Sequence, residues 1–250
     1  MDVLQFLALL GAGMVAGGIN AVVGSGTLVT FPTLLAFGYP TVLANVTNNI
    51  GILPGSVTGA YAYRRELAEQ KALAIRLAGA SATGGLVGAL LLLQLPESAF
   101  EAIVPVLILL ACGLVAAQPW LSRWVARRRR GVAHGGALML VITLATGIYG
   151  GYFGAAQGVL LMAFLGILLD EQMQQLNAVK NVLAGLVNLV AAVVFVLVSH
   201  VAWAAAIALA IGSTLGGQVG GTYGRRLSPK VLRGVIIVVG TTAAVRLLVT

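Results

Sequence analysis

Two groups of polar side chains stand inside long apolar stretches of this 250-residue chain and share one spacing, i, i+3 and i+4. Residues at that spacing lie on one face of a helix. The groups are Asn45, Asn48 and Asn49 in the first half and Asn177, Lys180 and Asn181 in the second. Amides and an ammonium donate hydrogen bonds to anions, so these two polar stripes predict an anion-binding site within an apolar protein.

Each polar stripe also has a structural interpretation. Asparagines inside a membrane stabilise helix pairs through interhelical hydrogen bonds. Lys180 stands about six residues into its apolar segment, from where a lysine can extend its ammonium to the membrane surface. All seven Asp and Glu residues stand in predicted loops or at segment ends, so no carboxylate partner inside the membrane is predicted for Lys180. This placement disfavours a cation pathway or an acidic proton relay.

Two breaks interrupt the apolar stretches 3–37 and 135–169, each of which is too long for one membrane crossing. The residues at the breaks are Gly24, Ser25, Gly26 and Thr27 in the first stretch and Gln157 and Gly158 in the second. A helix interrupted there exposes backbone N–H groups and the positive end of its dipole, both of which favour an anion. We therefore predict two helical hairpins with anion-binding tips. The alternative for each break is a glycine hinge.

The composition excludes a soluble globular protein. Hydrophobic residues make up 59% of the chain and charged residues 9%, whereas about 25% of residues are charged in ordinary soluble domains. Further apolar runs long enough to cross a bilayer lie at about 43–63, 72–95, 100–118, 174–199, 202–223 and 231–250. The sequence therefore predicts an all-α integral membrane protein with about eight to ten membrane segments.

The net charge of +8 does not predict a nucleic-acid partner, because most basic residues fall into three short clusters between apolar runs. Clusters at 64–76, 123–130 and 225–233 are typical of cytoplasmic loops, which places the loop with Glu97 and Glu101 outside. With one cysteine and two separated histidines, the chain lacks the patterns typical of metal sites, and no cofactor is predicted.

An internal repeat relates the two halves of the chain at an offset of 132 residues. Ten of the seventeen positions from 72 to 88 are identical to their counterparts, and the offset also pairs Asn45 with Asn177 and Asn49 with Asn181. The small-residue runs 81–88 and 213–221, which correspond at this offset, predict close helix packing.

Corresponding loops of the two halves carry opposite charge patterns. The basic loop near Arg64 corresponds to 196–203, which has no Lys or Arg. We therefore predict two inverted-topology repeats, each with a broken or re-entrant hairpin and three long helices. The first repeat is 1–118, the second is 134–250, and a basic cytoplasmic linker, 119–133, joins them.

Several motifs occur together in one order along the chain. They are 17–26 (GGINAVVGSG), 31–35 (FPTLL), 44–49 (ANVTNN) and 63–65 (YRR), with echoes at 147–158 and 177–181. This order resembles the TauE/SafE family of sulfite-exporter-like permeases over essentially the whole chain. The resemblance implies a transporter of sulfur-containing oxyanions or organosulfonates. Gln157 departs from the small residue that is common at this tip in the family.

These observations favour a secondary transporter that exports small sulfur-containing anions by alternating access between two inverted repeats. The chain has no nucleotide-binding motif, so an ion or substrate gradient is the expected energy source. The alternatives are an anion channel and a permease for other carboxylates or oxyanions. An intramembrane serine hydrolase is disfavoured, because His134 and His200 stand at predicted segment ends on opposite sides of the membrane.

The expected partners are a small anionic substrate and the lipid bilayer of the cell membrane. A homodimer and a monomer both remain open as the oligomeric state.

Overall fold

The computed structural model describes residues 1–127, 136–223 and 229–249, and all regular secondary structure within those ranges is helical. The helices are α1 (Val3–Val22), α2 (Thr27–Ala36), α3 (Thr41–Ala62), α4 (Arg64–Glu69), α5 (Lys71–Gln94), α6 (Glu97–Arg127), α7 (Ala137–Tyr152), α8 (Gln157–Leu168), α9 (Met173–Val198), α10 (Trp203–Tyr223) and α11 (Pro229–Val249). The prediction of an all-α polytopic membrane protein is confirmed. The basic residues at 128–130, 225 and 226, together with His134, lie outside the described residues.

Among the residues that the structure describes, five helices are long and apolar enough to cross a bilayer by themselves, namely α1, α5, α6, α9 and α10. α3 corresponds to a further predicted crossing but is less apolar, because it carries the first polar stripe. α11 corresponds to another and carries Arg233 and Arg246 near its ends. α3 therefore depends on neighbouring protein, rather than on lipid alone, to shield its polar groups.

The helix boundaries follow the predicted repeat. α9, α10 and α11 each begin 132 residues after α3, α5 and α6 respectively, and both hairpins are present as α1 with α2 and α7 with α8. The hairpin arms are unequal, with 20 and 10 residues in the first and 16 and 12 in the second.

Two boundaries differ from the sequence-based prediction. α6 continues to Arg127, so the predicted linker 119–133 begins as a continuation of this helix. The six-residue helix α4 was not predicted, because it is too short to show an apolar periodicity of its own.

Glycine contacts give the relative directions of the helices. A Cβ on Gly13 would meet the backbone of Leu209, and one on Gly17 would meet that of Ser213, so α1 and α10 run parallel. α3 also runs parallel to α10, since Gly51 lies against Leu209 and Gly55 against Ser213.

The other set of helices runs in the opposite direction. Gly84 packs on the backbone near Gly147, and Gly88 packs on that of Ile148, so α5 and α7 are parallel. Ser81 and Gly85 lie against Leu183 and Val187, which aligns α9 with α5. The short connection 199–202 turns the chain from α9 back into α10. Counterpart helices therefore run in opposite directions, and the glycine contacts at 81–88 and 213–221 show the close helix packing predicted for these runs. The inverted-topology repeat itself stays a prediction.

These directions define two ends of the bundle. The end where α3 and α6 finish and where α5, α9 and α11 begin carries Arg64, Arg65, Lys71 and Arg233, and is called the basic end. The other end holds the connections 37–40, 95–96 and 199–202 and is called the distal end. The two hairpin tips enter the bundle from opposite ends and meet inside it.

Candidate functional site

The two hairpin tips are in direct backbone contact. The Gly158 N–H donates to the Gly24 carbonyl over 3.1 Å. Gly24 has a φ of +85°, and a Cβ built there would lie 2.5 Å from the Gly158 Cα. Both positions therefore require glycine, one for its backbone conformation and both for the close approach. The loop that precedes α2 is consequently in contact with the first turn of α8.

The meeting point combines two positive helix ends with unpartnered polar groups. Neither α2 nor α8 has a side-chain cap on its first turn. Ser25 and Gln157, one at each tip, are 1% and 3% exposed. Among the described residues, neither the Ser25 Oγ nor the Gln157 Nε2 has a hydrogen-bond partner. Leaving a buried polar atom unpaired costs about 1–3 kcal/mol, so such atoms call for a functional or solvent partner.

Lys180 lies beside the second tip and does not extend to the membrane surface. The residue is 1% exposed, and its Nζ donates to the carbonyls of Asn20 over 3.2 Å and Ala21 over 3.5 Å. A Cβ on Gly158 would lie 3.1 Å from the Lys180 Cδ, so the aliphatic stem packs on the tip. The snorkelling interpretation of Lys180 is therefore wrong.

The amides that flank Lys180 bind the end of α1. The Nδ2 atoms of Asn177 and Asn181 donate to the Ala21 carbonyl over 3.1 and 3.4 Å. The last carbonyls of a helix have no intrahelical partner, and α1 ends at Val22, so three donors from α9 satisfy them. Both amides, which the sequence predicts as anion donors, therefore also have a structural role in this state.

The first polar stripe divides between two neighbours. Asn45 donates to the Tyr152 carbonyl over 2.9 Å. Tyr152 is the last residue of α7, so Asn45 binds the end of α7 as Asn177 binds the end of α1. Asn48 joins the first tip, since it accepts from Thr30 and donates to the Thr27 hydroxyl. The first stripe thus ties α3 to both hairpins.

Asn49 lies apart from the tips and belongs to a polar network between the halves. Its Nδ2 is 3.5 Å from the Asn188 Oδ1, and Asn188 donates to the Ser56 hydroxyl over 3.2 Å. The Ser56 hydroxyl also accepts from Asn20 over 3.0 Å. Ser56 and Asn188 each stand eleven residues after the first asparagine of their stripe, so the sequence could identify them. Asn20 is found only from the three-dimensional contacts.

A cavity of about 380 Å³ leads from the basic end towards the tips. Val22, Val23 and Val159 line it next to the tips, and Asn177 lines it beside Lys180. Arg233 and Tyr63 lie in its wall nearer the basic end. The cavity therefore reaches Asn177 from the basic end, whereas Ser25, Gln157 and Lys180 are not among its lining residues.

The distal side of the tips is filled by aromatic rings. The ring centroids of Phe31 and Phe153 are 5.3 Å apart, and those of Phe100 and Tyr152 are 5.5 Å apart, both in edge-to-face geometry. Phe31 and Phe100 are completely buried. Next to this cluster the Thr41 hydroxyl is 3.4 Å from the Glu101 carboxylate. These edge-to-face contacts fill the space between the tips and the distal end next to Phe31 and Phe100.

Residues 9–247 match the family described as "Sulfite exporter TauE/SafE". The chain is 26% identical over 249 residues to the probable membrane transporter protein YfcA of Escherichia coli K12, covering 99% of this chain and 89% of the relative. It is 29% identical over 241 residues to the probable membrane transporter protein ORF9 of a Sinorhizobium species, covering 95% and 90%. A probable membrane transporter protein of Haemophilus influenzae is 28% identical over 207 residues, covering 81% and 79%. No solved structure matches the chain significantly.

Proposed function

Because this chain belongs to the TauE/SafE family of membrane transporters, we propose that it carries small sulfur-containing anions, such as sulfite or organosulfonates, through the junction of its two hairpin tips. The observation that carries the proposal is the contact between the two hairpin tips, where helix ends without side-chain caps lie beside the unpartnered donors of Ser25 and Gln157. An oxyanion offers several acceptor oxygens to such a set of donors.

Lys180 supplies the positive charge of the proposed site. An ammonium has three N–H donors, and two acceptors are close to it in the observed state, both of them backbone carbonyls of α1. The third donor can serve an anion at the neighbouring tip. Asn177 and Asn181 share the Ala21 carbonyl with Lys180, so movement of α1 would release three donors together.

By the positive-inside rule we expect the basic end to be cytoplasmic, with the cavity on that side. With aromatic packing between the tips and the distal end, we interpret this arrangement as an inward-facing state of an alternating-access cycle. The opposite state would separate Phe31 and Phe100 from the second tip and close the cavity. In this scheme the repeats 1–118 and 134–250 move against each other, and export starts with the state described here.

Replacement of Ser25 by alanine separates a binding role from a structural one. The hydroxyl has no partner among the described residues, so its loss should leave the free energy of unfolding unchanged or slightly higher. Loss of one hydrogen bond to an anion, worth about 1.5–3 kcal/mol, should weaken binding about 10- to 100-fold. Counterflow of labelled sulfite in proteoliposomes and thermal unfolding in detergent measure the two effects. Saturable counterflow also distinguishes a transporter from a channel.

Ser81→Ala is the matched control, because Ser81 is equally buried but donates to the Leu183 carbonyl over 3.0 Å. We expect this variant to lose stability and to keep its affinity for sulfite. If Ser25→Ala binds and transports every tested anion as the wild type does, the tip has no part in anion binding.

A further inference from the structure

The cavity at the basic end is larger than a bare oxyanion needs. Its volume of about 380 Å³ falls within the range of pockets that enclose organic ligands, about 300–1,000 Å³. The wall next to the tips is apolar and includes Val22, Val159, Met162 and Ala163. A sulfite ion has no apolar surface that such a wall could cover.

The repeat explains why the wall is open beside the second tip, whereas an aromatic ring fills the corresponding position beside the first. At the offset of 132 residues, Ala163 on α8 corresponds to Phe31 on α2. Phe31 packs edge-to-face on Phe153 and is completely buried in the distal aromatic cluster. At the basic end the equivalent position carries only a methyl group, which lines the cavity. The small side chain of Ala163 therefore keeps this half of the site open.

We propose that the cavity holds the hydrocarbon tail of an organic sulfonate whose head binds at the tips, and that Ala163 sets the tail length that fits. The inference rests on the proposed function and makes it more specific. The head group and its donors stay at Ser25, Gln157 and Lys180, and the tail extends along Val159, Met162 and Ala163 towards the basic end. Short-chain alkanesulfonates are preferred over sulfite and over methanesulfonate.

Affinities of the purified protein for sulfite and for methane-, ethane- and propanesulfonate test this assignment by isothermal titration calorimetry. Burial of one methylene contributes about 0.8 kcal/mol, which corresponds to about fourfold tighter binding for each added methylene. In Ala163→Phe the dependence on chain length should disappear while methanesulfonate affinity stays near the wild-type value. Ala204→Phe is the control, because Ala204 is exposed on α10, away from the cavity.

Equal affinities of the wild-type protein for sulfite and the three sulfonates would overturn the inference and leave the proposed function intact. This comparison does not depend on folding of the Ala163→Phe variant. An equal loss of all four ligands in a folded Ala163→Phe protein would also overturn it, because the cavity would then be an entrance rather than a tail site. Absence of binding by the wild type to sulfite and to every sulfonate would instead refute the proposed function itself.

Discussion

Lys180→Met should lower the apparent affinity of transport for sulfite about 10- to 100-fold while leaving a folded protein. Methionine has a stem of similar length, so the packing against Gly158 is preserved and only the charge and the N–H donors are lost. A hydrogen bond to a charged group contributes about 1.5–3 kcal/mol, which corresponds to a 10- to 100-fold loss of affinity. Counterflow of labelled sulfite in proteoliposomes measures the effect, with the exposed Lys71→Met as the control.

A second readout separates this role from the contacts that Lys180 makes with Asn20 and Ala21. A ligand at 100 times its dissociation constant stabilises the folded state by about 2.7 kcal/mol. Wild-type protein should therefore unfold at a higher temperature when sulfite or a sulfonate is added. Lys180→Met should start from lower stability and show a much smaller shift at the same ligand concentration. A normal ligand-induced shift in this variant would show that Lys180 serves only to bind α1.

Gly24→Ala should both destabilise the protein and stop transport. The Cβ would lie 2.5 Å from the Gly158 Cα, and alanine would have to adopt a φ of +85°. The backbone conformation costs about 1–2 kcal/mol, and overpacking adds about 1–3 kcal/mol. To relieve the contact the tips must move apart, which breaks the bond between the Gly158 N–H and the Gly24 carbonyl and disperses the donors.

Gly38→Ala isolates the two contributions. Gly38 has nearly the same backbone conformation, with a φ of +83°, but no described atom lies within 4 Å of a Cβ built there. Gly38→Ala should therefore lower the free energy of unfolding only by the cost of the backbone conformation, and it should transport normally. Thermal unfolding and counterflow assays of the two variants give the comparison. Equal stability and equal transport in the two variants would show that contact between the tips is not required.

Much of the fold could be predicted from hydropathy and the internal repeat. The two hairpins, the long helices and their boundaries follow from apolar run length and from the 132-residue offset. The close helix packing at 81–88 was predictable because small residues recur there at helical spacing. The boundary of α6 was not, since Pro119 and the basic residues that follow it are typical of a loop.

The candidate site was only partly predictable. Residue types identified Ser25, Gln157 and Lys180 as donors, and the repeat indicated that the tips are related. The acceptors of Lys180 could not be predicted, because they are backbone carbonyls at Asn20 and Ala21, which any residue type would provide. The internal repeat does pair Ala163 with Phe31, so a difference in side-chain size was visible in the sequence. That this difference leaves a cavity could be seen only from the aromatic cluster around Phe31.

The central claim is that an anion binds where the two hairpin tips meet. A crystal structure with a bromine-labelled alkanesulfonate tests it most directly, because anomalous scattering from the bromine fixes the ligand's position and orientation. We expect the sulfonate oxygens at hydrogen-bonding distance, about 3 Å, from the Ser25 hydroxyl and the Gln157 amide. A sulfonate bound only near Arg233 at the basic end, with the tips unchanged, would contradict it.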